Sequence, residues 1–154
     1  MRIIEKVIFL RGGAGPILKK LYSLVCMPFL TFNGSYIGSG AKFANTPIFP
    51  HGVTGIFISS GAVIGKDCVI FHQVTIGSNT LNDSQKKGSP IIGNNVYIGA
   101  GAKIIGSVKI GDNCRIGANC VVVKDVPNNT TVVSQPARYI IKDTPPSNIF
   151  RQFQ

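Results

Sequence analysis

Aliphatic residues recur at every sixth position along most of the chain. From Ile58 the sequence reads "ISSGAV IGKDCV IFHQVT IG", and from Ile92 it resumes as "IGNNVY IGAGAK IIGSVK IGDNCR IGANCV V". An α-helix would repeat its apolar positions every 3.6 residues, and a simple strand would repeat them every second residue. A period of six fits neither, and it predicts an all-β solenoid of very short strands whose stacked coils bury a shared apolar row.

A second row of small or β-branched residues follows each aliphatic residue by four positions. Its members are Ala62, Cys68, Val74, Val96, Ala102, Val108, Cys114, Cys120 and Val126. The absence of large side chains from this row indicates a narrow, fully packed interior. Three of the four cysteines lie in it, so we interpret them as small buried hydrophobic residues. None forms a C-x-x-C pair, and free thiols in a reducing cytoplasm are expected.

Two segments depart from the repeat. The polar stretch "NTLNDSQKKGS" at 79–89 interrupts it and predicts an extruded loop. Within residues 1–35, "GPILKKLYSLVCMPFLTF" has helix-like apolar spacing and predicts a helical cap over the open solenoid end. An amphipathic patch that docks at the inner membrane is the alternative for this segment. We therefore divide the chain into a capping segment (1–35), a solenoid domain (36–140) and a C-terminal tail (141–154).

The chain has 154 residues and a formal net charge of +10, which predicts an anionic partner. It has no Trp and no compact run of Lys and Arg, so we do not expect nucleic acid to be that partner. No apolar stretch approaches the ~20 residues that span a bilayer. We recognise no signal peptide at the N-terminus and expect a cytoplasmic protein.

The repeats, together with "HGVTG" at 51–55, resemble the hexapeptide-repeat acyltransferases, which include serine acetyltransferases and polysaccharide O-acetyltransferases. The resemblance implies a left-handed parallel β-helix, in which three hexapeptides form one coil of a triangular prism. It also implies a homotrimer that binds acetyl-CoA between subunits and transfers the acetyl group to an acceptor hydroxyl. No metal is expected in such an enzyme.

His51 is the candidate catalytic residue. In the resembling enzymes the histidine of H-x-x-T-G is the general base that takes a proton from the acceptor hydroxyl, and imidazole suits this role because it exchanges protons near neutral pH. A backbone carbonyl, Asn45 or a residue of the next subunit could fix its tautomer. His72 follows His51 by 21 residues and should face outward, where it could assist from the adjacent coil.

Two alanines are the candidate cofactor contacts. Ala100 and Ala118 are 18 residues apart, so they should stack on the same face of the prism. The resemblance implies that they line the pantetheine arm of acetyl-CoA, because small side chains let the arm approach the backbone. Gly77 and Ser78 match a further contact of the family.

Positive side chains should meet the phosphates of coenzyme A. Lys124 and Arg138 are the candidates for this role. Lys103, Lys109 and Arg115 recur every six residues, so they should fall on three different faces and form no single patch.

The acceptor is the least determined feature. The chain has Pro50, Ser60 and Ser89 where serine acetyltransferases have acidic or histidine side chains, and a residue near Tyr36 replaces a further Asp. In that family these groups contact serine or orient the base. Their loss favours a sugar hydroxyl in surface-polysaccharide biosynthesis, with serine as the alternative acceptor.

Two other functions are alternatives to acetyl transfer. A carbonic anhydrase of this fold requires three histidines on zinc, and the chain has two histidines in all. A non-catalytic structural trimer is the other alternative. The intact "HGVTG" and the stacked alanines favour an enzyme over it.

Overall fold

The computed structural model describes residue 24 and residues 26–136, which form a helix followed by a parallel β-solenoid. The helix α1 covers residues 26–32. The strands are β1 (Tyr36–Ile37), β2 (Lys42–Phe43), β3 (Phe57–Ile58), β4 (Val63–Ile64), β5 (Val69–Ile70), β6 (Thr75–Gly77), β7 (Ile91–Ile92), β8 (Tyr97–Ile98), β9 (Lys103–Ile105), β10 (Lys109–Ile110), β11 (Arg115–Ile116), β12 (Val121–Val122) and β13 (Thr131–Val132).

Successive strands of the chain belong to three parallel sheets in a fixed order. The first face contains β1, β3, β6, β9 and β12, the second contains β2, β4, β7 and β10, and the third contains β5, β8, β11 and β13. All strand pairings are parallel, and they join equivalent hexapeptides, such as Ile58 with Ile76 and Ile104 with Val122. One hexapeptide therefore forms one face, three form a coil, and the predicted all-β solenoid is confirmed.

Both predicted inward rows are buried. The aliphatic row is at most 5% exposed at each position: Ile58, Ile64, Ile70, Ile76, Ile92, Ile98, Ile104, Ile110, Ile116 and Val122. The row of small residues is also buried, with Val126 the most exposed of its members at 8%. The prism is so narrow that a large side chain in this row would displace the facing isoleucines.

Asparagine and aspartate make the corner between the second and third faces. Asp67, Asn95, Asn113 and Asn129 adopt left-handed backbone with φ between 53° and 58°, which these residue types tolerate better than most. The Asn95 amide donates to the Asn113 carbonyl oxygen at 3.0 Å, and Asn113 donates to Asn129 at the same distance. These side-chain ladders hold successive coils in register.

Helix α1 covers the first coil. Cys26 and Leu30 are fully buried in the same core cluster as the solenoid isoleucines. The Ser35 hydroxyl donates to the carbonyl of Val53 and accepts the Ile56 amide, which ties the end of the helix to the next turn. The helical cap is thus present. The tail (141–154) and most of the segment 1–35 lie outside the described residues, so those boundaries and the membrane-docking alternative stay predictions.

The interruption at 79–89 is an extruded loop, as predicted, and it folds back on its own chain. An antiparallel bridge closes its base, with hydrogen bonds of 2.8 Å in both directions between Asn79 and Gly88. The Lys86 ammonium donates to both carboxylate oxygens of Asp125 at 3.0 Å. The backbone N–H of Lys109 and then this ammonium hold the pKa of Asp125 below its usual value, because both stabilise the charged carboxylate.

In the part of the chain that the structure describes, no helix has the length and apolar character to cross a bilayer.

The four cysteines are free and buried, and this yields a test of the inward rows. Burial raises the pKa of the Cys68 thiol, which disfavours the reactive thiolate. We expect Cys68, Cys114 and Cys120 to react slowly with a disulfide reagent in the native protein and rapidly after denaturation. A cysteine introduced at exposed Ser134 is the control and should react rapidly in both states. Rapid native labelling of the three buried thiols would show that the row is misplaced.

Candidate functional site

The turns between the third and first faces align four of the predicted site residues. On the third face, Ile48 pairs with Val69, Val69 with Tyr97 and Tyr97 with Arg115. The residue three positions after each of these occupies the same turn position on successive coils. These four residues, which we call the histidine edge, are His51, His72, Ala100 and Ala118.

Backbone hydrogen bonds follow the histidine edge from coil to coil. The Gly101 amide donates to the carbonyl of His72 at 3.0 Å, and the Asn119 amide donates to the carbonyl of Ala100 at 2.9 Å. The stacking predicted for Ala100 and Ala118 is therefore present. The two histidines occupy the same positions one and two coils before Ala100.

The two imidazole rings are in direct contact. Their Nδ1 atoms are 2.8 Å apart, and the ring centroids are 4.8 Å apart with an angle of 36° between the planes. Because a hydrogen bond needs one proton, one Nδ1 donates and the other accepts. Phe71 packs edge-on against the His51 ring, with 5.3 Å between centroids. Among the described residues, no hydrogen bond reaches Nε2 of either ring.

A widened turn places His51 over His72. Phe49 and Ile58 are nine residues apart, whereas Ile70 and Ile76, at the same corner of the next coil, are six apart. The three extra residues belong to the "HGVTG" segment, and Gly52 within it adopts φ 68°. Gly52 is buried, and its left-handed backbone is a conformation that glycine adopts without steric cost.

Asn45 does not orient His51. Its amide donates to the Asp67 carboxylate at 2.8 Å, and its carbonyl oxygen accepts the Asp67 backbone N–H at 3.0 Å. Asn45 lies at the turn between the second and third faces, whereas His51 lies at the turn between the third and first. Within the chain, the hydrogen bond to the His51 ring is made by His72. A contact from a residue of the next subunit stays a prediction.

Three predicted cofactor contacts lie on another corner of the prism. Gly77, Ser78 and Lys124 are at the turns between the first and second faces, and Ser78 and Lys124 are exposed there. Within one chain the width of the first face separates them from the histidine edge. Arg138 lies outside the described residues.

The basic residues that recur every six positions fall on three faces, as predicted. Lys103 is on the first face, Lys109 on the second and Arg115 on the third. Sequence reasoning missed that Lys103 reaches the histidine edge, where its ammonium donates to the backbone carbonyl of Gln73 at 2.7 Å. It also missed Phe71. The signal for both was the hexapeptide register, which places them beside the turns of His72 and Ala100.

Across the described residues, no group of three or more His, Cys, Asp or Glu side chains is placed to hold a metal ion.

Comparison with known proteins agrees with this architecture. The model of the bacterial transferase hexapeptide, six repeats, matches residues 89–124. A solved structure of serine acetyltransferase isoform 3 from Entamoeba histolytica, in complex with cysteine, is 31% identical with a TM-score of 0.69. That match covers 91% of this chain and 49% of the other. The chain belongs to the hexapeptide-repeat transferase family. Its solenoid is the left-handed parallel β-helix of that family.

Two further serine acetyltransferases match a smaller share of this chain. Serine acetyltransferase from Buchnera aphidicola of Schizaphis graminum is 46% identical over 89 residues, which are 58% of this chain and 34% of that protein. A serine acetyltransferase from Brucella abortus, solved in complex with coenzyme A, is 37% identical with a TM-score of 0.57 and covers 65% of this chain and 39% of that one. The chain spans less than half the length of the first curated relatives it matches.

Proposed function

We propose that this protein is an acetyl-CoA-dependent O-acetyltransferase whose acceptor is L-serine. The observation that carries the proposal is the position of His51, which stands in an H-x-x-T-G turn with Nδ1 bonded to His72. The similarity to serine acetyltransferases, one of them solved with coenzyme A, supports the donor and the acceptor. The relatives reported above give no support to the polysaccharide role that the sequence favoured.

The proposed chemistry is direct transfer within a ternary complex. An alcohol is a weak nucleophile, so Nε2 of His51 accepts the hydroxyl proton while the oxygen attacks the thioester carbonyl. The new C–O bond forms, the C–S bond breaks, and His51 returns the proton to the departing sulfur to give the coenzyme A thiol. The cysteines are buried, which disfavours an acyl-cysteine intermediate.

The two alanines of the histidine edge would line the path of the donor. Ala100 and Ala118 continue the row beyond His72, and their methyl groups leave the adjacent backbone accessible. Gly77, Ser78 and Lys124 belong to another corner, so they complete the same groove only if a second copy supplies them. We therefore propose a homotrimer with its donor sites between subunits.

A sugar hydroxyl is the second candidate acceptor, and one observation favours it. The chain has Pro50, Ser60 and Ser89 in place of acidic or histidine side chains. The resembling serine acetyltransferases use those side chains to contact serine or orient the base. An acceptor without an ammonium and a carboxylate would not need those groups.

An acceptor assay separates the two candidates. Release of the coenzyme A thiol from acetyl-CoA is measured with L-serine, with nucleotide sugars and simple hexosides, and without acceptor. We expect L-serine to give release above the acceptor-free rate and O-acetylserine as the product. Release with a sugar alone would move the proposal to the second candidate, and no transfer to either class would refute both.

A larger side chain on the histidine edge should weaken the binding of acetyl-CoA. We expect Ala118→Leu to raise the KM for acetyl-CoA by about tenfold or more, equivalent to ~1.4 kcal/mol of binding free energy, because the larger side chain would clash with the donor. Ala44→Leu is the matched control, because Ala44 is an exposed alanine at a different corner. An unchanged KM in Ala118→Leu, with an intact fold, would show that the donor does not follow this edge.

A further inference from the structure

We propose that His72 is the positioning residue that holds His51 in its Nδ1–H tautomer, so that Nε2 of His51 is the basic nitrogen of the site. This inference rests on the proposed function, and it deepens it by assigning the part that each histidine plays. The pairing of two imidazoles takes the place of the carboxylate–histidine pair of the resembling enzymes, because a residue near Tyr36 stands where that family has the Asp that orients the imidazole.

The Nδ1–Nδ1 contact allows two proton arrangements. At 2.8 Å the two neutral rings share one proton, and the ring that donates keeps a bare Nε2. If His51 donates, its Nε2 has the free lone pair and His72 carries its own proton on Nε2. If His72 donates, these assignments are reversed and His72 becomes the base. The contact therefore forces the two rings into opposite tautomers.

The surroundings of the pair favour donation by His51. The ring of His51 is exposed at the outer end of the row and is flanked by uncharged Phe71, whereas His72 is half-buried. The side of the pair that an acceptor can approach from solvent is therefore that of His51, and its Nε2 is the nitrogen placed to take the acceptor proton.

The same arrangement becomes stronger during the reaction. When Nε2 of His51 takes the acceptor proton, its Nδ1–H becomes part of an imidazolium and still donates to the neutral Nδ1 of His72. A hydrogen bond from a charged donor is shorter and stronger than one between neutral groups. His72 thus stabilises the cation that forms only as the acceptor is deprotonated, which is the condition for lowering the barrier.

Nitrogen NMR reads the tautomers without any acceptor. The chain has two histidines, so protein labelled with 15N in the imidazoles gives two ring systems, which His72→Asn assigns. At a pH where both rings are neutral, we expect His51 to carry its proton on Nδ1 and His72 on Nε2. A scalar coupling between the two Nδ1 nuclei is expected across the hydrogen bond. Observation of His51 protonated on Nε2, or of two like tautomers without coupling, would overturn the proposal.

Two variants of His72 separate positioning from simple packing. His72→Leu removes the acceptor, and we expect kcat to fall about 10–100-fold with an unchanged KM for acetyl-CoA, as for the loss of a hydrogen bond to a charged group. His72→Asn places an amide oxygen close to the former Nδ1 and should restore kcat to within a few-fold of wild type. Thermal unfolding of each variant checks the fold.

The rates of the two His72 variants test whether a hydrogen-bond acceptor at this position orients His51. Full activity in His72→Leu, or an Asn variant as slow as the Leu variant, would show that acceptance at this position is not what orients His51. A protein that transfers acetyl groups to no acceptor, but shows the expected tautomers, would refute the proposed function and leave the arrangement of the pair standing.

Discussion

Replacing His51 with alanine is expected to lower kcat by about 10²–10⁴-fold, the contribution that a positioned general base typically makes. The affinity for acetyl-CoA should change little, because the imidazole meets the acceptor hydroxyl and not the nucleotide. The measurement is steady-state release of the coenzyme A thiol with a saturating acceptor. The wild-type protein and both variants of His72 provide the reference rates.

The His51 experiment needs a variant that keeps the polar character of the turn. His51→Asn retains an amide that can still contact His72 but has no nitrogen able to take a proton, so we expect it to be nearly as slow as His51→Ala. Sedimentation of each variant checks that the widened turn has not disturbed assembly. If His51→Ala keeps most of its kcat, His51 is a structural residue and His72 is the next candidate for the base.

Replacing Ile98 with alanine is expected to lower the free energy of unfolding by about 2–5 kcal/mol, the usual cost of truncating a buried isoleucine. Ile98 is fully buried, and its strand pairs place it between Ile70 and Ile116 of the adjacent coils. The lost side chain leaves a cavity in a prism too narrow to collapse around it. Urea denaturation followed by circular dichroism measures the change.

Ile91→Ala is the matched control for Ile98→Ala. Ile91 lies in β7, the strand before that of Ile98 in the same coil, and 46% of its surface is exposed. Its truncation removes little buried surface, so we expect a change within about 1 kcal/mol. Equal destabilisation by the two substitutions would mean that the sixth-position row does not carry the core.

The fold could be predicted because each coil repeats the same constraint. A residue such as Ile104 is surrounded by Ile76 below and Val122 above, so its type is dictated by packing and the period appears directly in the sequence. The turns add a second signal, since asparagines such as Asn95 and Asn113 recur where the backbone is left-handed. Local preference and packing thus specify the same structure.

The site was less predictable because it lies where the repeat is irregular. The corner that carries His51 has three extra residues, and Phe49 stands where the next three coils have isoleucine, so the phase alone does not align His51 with His72. Which group orients the imidazole depends on where two side chains meet in space. Asn45 was a reasonable partner by sequence distance, but the prism turns a corner between the two residues.

The closed base of the extruded loop makes it a separable module. Asn79 and Gly88 are bonded to each other, so the chain leaves and re-enters the solenoid at almost one point, and β6 and β9 keep their register across the interruption. The length and composition of residues 80–85 can therefore change with little effect on the coils, since closing a longer loop costs only ~0.6 kcal/mol for each doubling of its length. Lys86 is the exception, because it is bonded to Asp125 of the solenoid. The loop is a natural position for inserting a peptide tag or a spectroscopic label.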